Sequence, residues 1–197
     1  MKPYAESCDQ NRDPILEQLR PLLVAASTVL EIGSGTGQHA VYFSTHLPHL
    51  HWQPSDRGEN LPGIRLWCAE AGLANLKAPL ELDVTRQPWP AIEADAVFSA
   101  NTAHIMAWPQ VEAMMEGIGK LLPDGGVFLL YGPFNYNGRY TSDSNRRFDG
   151  WLKARDPLSG VRDFESLDEL AGQAGMHLQD DIAMPANNRI LCWRKSG

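Results

Sequence analysis

The sequence predicts an α/β fold in which helices cover both faces of a doubly wound, mostly parallel sheet. Short apolar runs alternate with amphipathic stretches along most of the chain, which is typical of parallel strands joined by crossover helices. The run from Val127 to Tyr131 is continuously apolar, as expected of a strand that is buried on both faces. Ligands of such sheets lie beyond the carboxyl ends of the strands, so polar residues that follow a strand are candidates for a site.

Start and end signals predict the individual helices and strands in order. Asp13-Pro14 predicts the N-cap and first residue of an N-terminal helix, and Pro21 is expected to kink or shorten it. The apolar stretch 50–53 predicts a short strand that stops at Pro54. The other strands are predicted over 28–31, 80–84, 94–100, 127–131, 177–184 and 189–195. The other helices are predicted over 38–46, 62–71, 109–122 and 143–154, and a last one is opened by a capping box at Ser166 and extends to residue 175.

The segment 132–165 differs from the rest of the chain because it is polar and has few apolar anchors. It is too long for a simple connection. We therefore interpret it as a lid or substrate-binding insertion within a single domain, 1–197. The two strands after it are joined by a short turn, so they are expected to pair antiparallel.

Composition limits the class of protein and its partners. The formal net charge of −7 disfavours a protein that binds nucleic acid mainly through its phosphates. The three cysteines are far apart and form no Cys-x-x-Cys pair, so neither a zinc site nor a disulfide framework is predicted, and no metal is expected. The chain begins without the apolar core of a signal peptide and has no run long enough for a membrane span. We expect a cytoplasmic protein, and the sequence does not indicate its oligomeric state.

A glycine-rich turn follows the first predicted strand. Gly33, Gly35 and Gly37 alternate with small hydroxylated residues, so the backbone can turn tightly and come close to a ligand. A dinucleotide fingerprint would place a glycine at position 38, where this chain has Gln38. The strand also carries an acid, Glu31, just before the turn, and a carboxylate suits a cationic ligand better than a pyrophosphate. A glycine turn without any ligand is the alternative interpretation.

The pattern Glu-x-Gly-x-Gly-x-Gly resembles motif I of class I S-adenosylmethionine (SAM) methyltransferases. The resemblance implies SAM as the cofactor and S-adenosylhomocysteine as the product. It also implies that the turn holds the amino-acid end of SAM, through residues Glu31, Gly33, Ser34, Gly35 and Gly37.

Two acids at later strand ends fit the same cofactor. Asp56 ends the second strand, where a carboxylate can accept hydrogen bonds from both ribose hydroxyls. Asp83 ends the third strand, where methyltransferases often place an acid near the adenine amino group, with the next backbone N–H, that of Val84, on a ring nitrogen. Either acid alone is equally explained as a solvated strand end or a helix cap.

The candidates for catalysis follow the fourth and fifth strands. Methyl transfer from a sulfonium depends mainly on alignment of the acceptor with the methyl group, and a base is needed only if the acceptor keeps its proton. Asn101 and His104 follow the fourth strand, where class I enzymes face the methyl group, and Asn101 is also a candidate cofactor ligand. His104 has a suitable pKa for a base near neutrality, although a capping or merely packed histidine is the alternative. Tyr131, at the end of the fifth strand, is a candidate for positioning the substrate.

Over nearly its whole length the chain resembles the methyltransferase-like family labelled domain of unknown function 938. The more specific shared motifs are Gln53-Pro54-Ser55-Asp56 and Ala186-Asn187-Asn188. The resemblance implies a Rossmann-like class I methyltransferase fold, with a seven-stranded, mostly parallel sheet and an antiparallel last strand. One departure is Gln10, where family members often have arginine, so a contact made by that arginine is not expected here. The resemblance also implies that Asn11 folds back toward the cofactor and that an acceptor site is walled by Asn145, Asp149, Arg162 and Asp163.

Three functional hypotheses follow, and they differ in class. The first is a methyltransferase that acts on a small molecule or a protein side chain. The second is a SAM-binding regulatory or partner module without turnover, which could close the opening from solvent to the methyl group that an enzyme needs. Separately, the alternative interpretation of the four acceptor-site residues is a self-contained hydrogen-bond network that orders the insertion. The third, a nicotinamide-dependent reductase, is weakened by Gln38 and by the absence of a Tyr-x-x-x-Lys pair. A nucleic-acid methyltransferase is disfavoured by the acidic charge balance.

Overall fold

The computed structural model describes residues 2–197 and contains alternating helices and strands. The helices are α1 (Glu6–Leu22), α2 (Gln38–His46), α3 (Leu61–Ala71), α4 (Trp108–Leu121), α5 (Asp143–Arg155) and α6 (Phe164–Gln173). The strands are β1 (Thr28–Ile32), β2 (His51–Asp56), β3 (Leu80–Glu81), β4 (Ala96–Ala100), β5 (Val127–Gly132), β6 (Phe134–Asn135), β7 (Arg162–Asp163), β8 (Met176–Met184) and β9 (Asn188–Lys195).

The main sheet of the described chain has seven strands in the order β3-β2-β1-β4-β5-β9-β8. Strand β1 pairs in parallel with β2 and β4, and β2 pairs in parallel with β3. The last strand, β9, runs antiparallel to both β5 and β8. The predicted α/β fold, with a mostly parallel sheet and an antiparallel last strand, is therefore confirmed. No helix within residues 2–197 is both long and apolar enough to cross a membrane.

Two compact units divide the described chain, one ending at Ser99 and the other beginning at Ala100. The core of the first unit contains an aromatic cluster in which the Phe43 ring lies 5.5 Å from the rings of both Trp52 and Phe98. In the second unit the ring of Phe128, on β5, stacks on that of Trp193, on β9, at 5.5 Å. All five of these side chains are fully buried, and they fix α2 to its sheet strands in one unit and β5 to β9 in the other.

The N-terminal helix begins earlier than the sequence predicts. Helix α1 starts at Glu6, and the predicted cap Asp13 and Pro14 lie inside it. The start is fixed by a tertiary contact, since the backbone N–H of Ala5, the N-cap residue, donates to Gln38 Oε1 at 2.6 Å. This contact and the burial of the apolar face outweigh the local capping signal and the backbone hydrogen bond that a proline removes.

Strand β2 and the last helix also differ from their predicted bounds. The strand runs through Pro54 to Asp56. Within β2, Ser55 holds the strand to the glycine turn, because the Ser55 carbonyl accepts the N–H groups of Gly33 and Ser34, each at 3.0 Å. Helix α6 begins at Phe164, before the predicted capping box, because the chain enters it directly from β7.

Strand β3 is shorter than predicted and ends at Glu81. The Asp83 side chain accepts hydrogen bonds from the N–H and hydroxyl groups of Thr85 at 3.0 and 2.7 Å. This local turn diverts the backbone from the sheet before residue 84.

The segment 132–165 contains regular structure of its own. Strands β6 and β7 form a separate two-stranded parallel sheet, and α5 lies between them in the chain. The predicted helix over 143–154 is thereby confirmed within a residue at its end. Whether the segment acts as a lid or substrate insertion remains a prediction.

Packing against α3 distinguishes two glycines of the turn and can be tested by substitution. Gly37 has φ +92°, and a Cβ there would lie 3.1 Å from the Ile64 Cα and 3.3 Å from the Trp67 Cβ. Gly35 has φ +58°, and a Cβ there would meet no atom within 4 Å. We expect Gly35→Ala to lower the free energy of unfolding by about 1–2 kcal/mol from backbone strain alone. Gly37→Ala should lower it by about 2 kcal/mol more, because a clash adds to the strain.

Urea unfolding of the two variants and the wild type measures this difference. Equal losses for the two substitutions would contradict the packing argument.

Candidate functional site

The glycine turn lies between β1 and α2 and has the backbone geometry that its sequence predicts. Gly33, Gly35 and Gly37 have φ values of +74°, +58° and +92°, which side-chain-bearing residues rarely adopt. Gly35 is exposed, and the space beside its Cα is open. The turn therefore leaves its backbone accessible to a ligand at Gly35 while Gly37 packs inward.

A buried polar cluster joins the glycine turn to strands β1 and β2. Glu31 is 2% exposed, and its Oε2 accepts hydrogen bonds from Ser34 Oγ at 2.8 Å and Trp52 Nε1 at 3.1 Å. The same Ser34 Oγ accepts the N–H of Ser55 at 3.1 Å, and the Ser55 hydroxyl donates to the Glu31 carbonyl at 2.6 Å. We call Glu31, Ser34, Trp52 and Ser55 the Glu31 cluster. Its bonds set the position of the turn relative to both strands.

The Glu31 carboxyl group is electrostatically unusual. Burial raises its pKa from the ordinary 4.5 to about 7, an effect that the bonds from Ser34 and Trp52 reduce and the charge of Asp56 increases. Near neutral pH this carboxyl group is therefore poised between its two forms. A cation placed beside it would favour the charged form and lower its pKa.

Asp56 lies at the end of β2 and reaches the glycine turn, as a shared ligand site requires. Its Oδ2 accepts the N–H of Gly35 at 2.7 Å. Its Oδ1 accepts the N–H of Arg57 at 2.7 Å and Asn60 Nδ2 at 2.9 Å. Asp56 is 8% exposed. The structure thus brings two predicted cofactor contacts, Asp56 and Gly35, into direct contact with each other.

Asp83 and Val84 lie after β3 and make local contacts. Besides the bonds from Thr85, Asp83 Oδ2 lies 3.3 Å from Arg86 Nε. The bonds from Thr85, together with the charge of Arg86, lower the pKa of Asp83, and Val84 is buried. These contacts hold Asp83 in a local turn that no helix follows, and its role toward adenine stays a prediction.

Asn11 lies in α1 and contacts the first turn of α2. Its Oδ1 lies 2.7 Å from His39 Nε2. Burial lowers the pKa of His39 to about 4, so the ring is neutral at pH 7, and the protonated Nε2 donates to the amide oxygen. Asn11 is therefore held beside the residues that follow the glycine turn, and its contact with a cofactor stays a prediction.

Asn101 and Tyr131 are brought together in the second unit. The N–H of Asn101 donates to the Tyr131 carbonyl at 2.9 Å. Asn101 has φ +58°, a conformation that asparagine tolerates better than most residues. The chain therefore turns sharply at Asn101 as it leaves β4.

His104 is a buried, neutral histidine on the loop after β4. It is 5% exposed, and its pKa is lowered to about 4, mainly by burial and secondarily by the charge of Arg162. Its ring lies edge-on to Phe148 at 5.2 Å, and its Nδ1 is 3.6 Å from where a Cβ on Gly132 would lie. Because the ring is neutral at pH 7, one of its two nitrogens carries a lone pair that can accept a hydrogen bond.

Three of the four predicted acceptor-site residues have their polar atoms bonded within the second unit. Arg162 donates to the carbonyls of Ala103 at 3.1 Å, Leu158 at 2.8 Å and Met106, so it fixes the loop that carries His104. Asp149 accepts from the Val161 N–H, the Tyr140 hydroxyl and the Lys153 ammonium at 2.8, 2.7 and 2.7 Å. Asn145 Nδ2 donates to Thr141 Oγ1 at 3.0 Å and to the Asn187 carbonyl at 3.2 Å.

Asp163 differs from these three residues. It pairs in register with Asn135 across β6 and β7, and in both residues Oδ1 is buried without a hydrogen-bond partner among residues 2–197. The Asn135 Nδ2 donates weakly to the Val161 carbonyl at 3.4 Å, so its oxygen is the free atom. Two acceptor oxygens therefore lie on neighbouring residues with no donor from the protein.

Three residues to which the sequence assigned no role in the site lie among these groups in the structure: Gln38, Trp52 and Asn135. Gln38 was used as evidence against a dinucleotide cofactor. Its position directly after the last glycine of the turn could also have indicated a residue of the site. The contacts of Trp52 and Asn135 depend on pairing between strands, and no local pattern indicates them. Among residues 2–197 no group of three His, Cys, Asp or Glu side chains is arranged to hold a metal ion.

The raised pKa of Glu31 predicts a specific pH dependence. Between pH 4.5 and 7 the unfolded chain loses this proton before the native state does, so stability falls as pH rises. Relative to Glu31→Gln, the wild type should lose about 3 kcal/mol of unfolding free energy across this range. The effect of His39 and His104 is present in both proteins and cancels in the difference.

Urea unfolding of both proteins at several pH values measures the effect of Glu31. A difference between them that does not change with pH would contradict the assignment.

Because Asp163 Oδ1 is buried without a donor, we expect its replacement by asparagine to stabilise the protein. Asp163→Asn supplies an amide donor opposite the Asn135 oxygen and should raise the free energy of unfolding by about 1 kcal/mol. Asp181→Asn is the matched control, since Asp181 already accepts from Arg189 Nε and the Tyr136 hydroxyl, each at 2.7 Å. The control should be destabilised, and thermal unfolding of both variants measures the contrast. Destabilisation by both would show that Asp163 is satisfied in solution.

Known structures share this arrangement of strands and helices. The chain is similar to the SAM-dependent methyltransferase SibL, with a TM-score of 0.81 and 21% identity over 96% of this chain and 56% of that one. It is also similar to human N-acetylserotonin methyltransferase in complex with SAM, with a TM-score of 0.78 and 20% identity over 98% of this chain and 53% of that one. An O-methyltransferase family protein from Burkholderia thailandensis gives a TM-score of 0.78 and 15% identity over 94% of this chain and 58% of that one. At these identities the similarity shows the fold, and the chain spans little more than half the length of these proteins.

A family model matches residues 2–195, almost the whole chain, and its description is "Protein of unknown function (DUF938)". The resemblance drawn from the motifs of the sequence is thereby confirmed. On the strength of this match the chain belongs to that family, and its fold is the fold of class I SAM-dependent methyltransferases.

Proposed function

We propose that this protein is a SAM-dependent methyltransferase whose acceptor is a small molecule or a protein side chain. The observation that carries the proposal is the contact between Asp56 and Gly35, which joins an acid at the end of β2 to an accessible glycine turn. An acid at this strand end and a turn open to a ligand are the two features that a nucleoside cofactor needs. The similarity to methyltransferase structures supports the same fold and the same cofactor class.

The residues present suit the charge of SAM, and the turn leaves room for a ligand beside Gly35. The open space at Gly35 admits a ligand against the backbone, and the buried Glu31 carboxyl group is suited to a neighbouring positive charge. Asp56 would exchange its bond with the Gly35 N–H for the ribose hydroxyls, and Asp83 and Val84 would meet the adenine ring. When bound, SAM supplies a methyl group activated by a sulfonium. The other residues proposed to hold it are Asn11, Gly33, Ser34, Gly37 and Asn101.

The proposed catalytic role of His104 is to orient the acceptor and receive its proton. A neutral imidazole carries one lone pair, which can accept a hydrogen bond from an O–H or N–H group. Its low pKa makes it a weak base, so alignment contributes more than proton removal. Tyr131 and Asn101 position the acceptor in this scheme, and S-adenosylhomocysteine is the product.

Arg162, Asp149 and Asn145 support the acceptor site by ordering the segment around it. Arg162 holds the carbonyls of the loop that carries His104, and Asp149 ties α5 to the residue before Arg162. In this proposal they are positioning residues, whereas Asp163 offers a free oxygen to a donor on the acceptor.

A SAM-binding module without turnover is the second candidate. The observation that favours it is the internal satisfaction of three predicted acceptor-site residues, which leaves them fewer atoms for a substrate. The two candidates share the cofactor and differ in whether S-adenosylhomocysteine accumulates when methyl acceptors are supplied.

Thermal unfolding in the presence of cofactors tests the cofactor class directly. SAM and S-adenosylhomocysteine, each at about a hundred times its Kd, should stabilise the protein by roughly 2.7 kcal/mol. For a chain of this size the shift is about 5–10 °C. NADH at the same concentration is the control and should give no shift. A shift with NADH alone would contradict the proposed cofactor.

A further inference from the structure

Gln38 is a buried residue whose side-chain amide is only half satisfied. It is 5% exposed, and its Oε1 accepts the Ala5 N–H at 2.6 Å and the Thr36 hydroxyl at 3.0 Å. A backbone N–H can only donate, so the bond from Ala5 fixes which end of the amide is the oxygen. The Nε2 is buried and has no hydrogen-bond partner among residues 2–197.

A buried amide nitrogen without an acceptor is uncommon and unfavourable. Leaving such a donor unpaired costs about 1–3 kcal/mol, and native structures contain few of them. The amide cannot rotate by 180° to exchange its oxygen and nitrogen, because the Ala5 N–H needs the oxygen as its acceptor. The Nε2 is therefore held as a donor, and a ligand that accepts hydrogen bonds would complete it.

The surroundings of Gln38 favour a negatively charged acceptor. Gln38 is the first residue of α2, directly after Gly37, and its oxygen holds Ala5, the N-cap residue of α1. Two helix N-termini thus meet at this side chain, and each carries partial positive charge.

The acids of the first turn of α1 do not supply this acceptor. Asp9 is bonded to Tyr4 and Arg12, and Glu6 lies 3.3 Å from Gln10 Nε2.

We propose that Gln38 Nε2 binds the carboxylate of the cofactor's amino-acid tail. The proposal rests on the proposed function and assigns one contact within that site. SAM has a single carboxylate, and Gln38 directly follows the turn that holds the amino-acid end. Glu31, on the other side of the turn in sequence, then faces the positive groups of the same tail. Gln38 thereby distinguishes cofactors with an amino-acid tail from other adenosyl compounds.

Gln38→Glu is the sharpest test because it replaces the Nε2 donor with an oxygen and keeps the Oε1 acceptor. Glutamate retains an oxygen for Ala5 and Thr36 but replaces the free donor with a second acceptor. We compare binding of S-adenosylhomocysteine with that of 5′-methylthioadenosine, which lacks the amino-acid tail, by calorimetry. The substitution should weaken binding of S-adenosylhomocysteine by about 10–100-fold, as expected for loss of a charge-assisted bond. Binding of 5′-methylthioadenosine should stay within about threefold.

A second variant, Gln38→Met, keeps the volume but removes both the free donor and the oxygen that holds Ala5 and Thr36, so its thermal unfolding is measured first to establish that it folds. This variant should weaken the binding of S-adenosylhomocysteine by about tenfold and leave the binding of 5′-methylthioadenosine unchanged. Equal losses for the two ligands, or no loss for S-adenosylhomocysteine, would overturn the assignment of Gln38 while leaving the cofactor intact. A wild-type protein that binds neither ligand would instead overturn the proposed function, and the assignment with it.

Discussion

The buried carboxyl group of Glu31 is the constraint on which the first unit depends. A carboxyl group this deep is tolerated only where donors meet it, and here they come from the glycine turn, through Ser34, and from β2, through Trp52. The same group lies beside the aromatic packing of Trp52. The polar site and the apolar core are therefore not separate features, because one side chain belongs to both. A change in the turn is transmitted to the core, and the reverse also holds.

The sequence predicted best the elements whose signals are local and steric. The bounds of β1 and α2 follow from the glycines between them, since only glycine suits those backbone angles. The predicted start of α1 was wrong because the N-cap residue of this helix is held by Gln38, which is distant in sequence. Strand β2 passes through Pro54 for a similar reason, because bonds from Ser55 to the glycine turn hold it in the sheet. Local rules fail where a long-range contact decides.

The same division applies to the candidate site. Strand ends indicated that Asp56 closes β2 and that His104 follows β4, because polar residues that follow a strand are candidates for a site. The sequence did not indicate which polar atoms the protein satisfies by itself. Asp149 and Arg162 are charged and lie in a polar segment, yet both are bonded internally. Gln38, an uncharged residue within a glycine motif, is left with a free donor. The number of bonds available to a side chain depends on its neighbours in space.

The position of β9 between β5 and β8 has a consequence for synthesis on the ribosome. Both of its neighbours precede it in the chain, and they pair with β9 rather than with each other. Until residues 188–195 have emerged, β5 and β8 each present an unpaired edge of backbone groups. The first unit, by contrast, has β1, β2 and β3 complete and lacks only the last residue of β4 once Ser99 has been made. The nascent chain therefore passes through an interval in which one half can fold while the other still needs protection from aggregation.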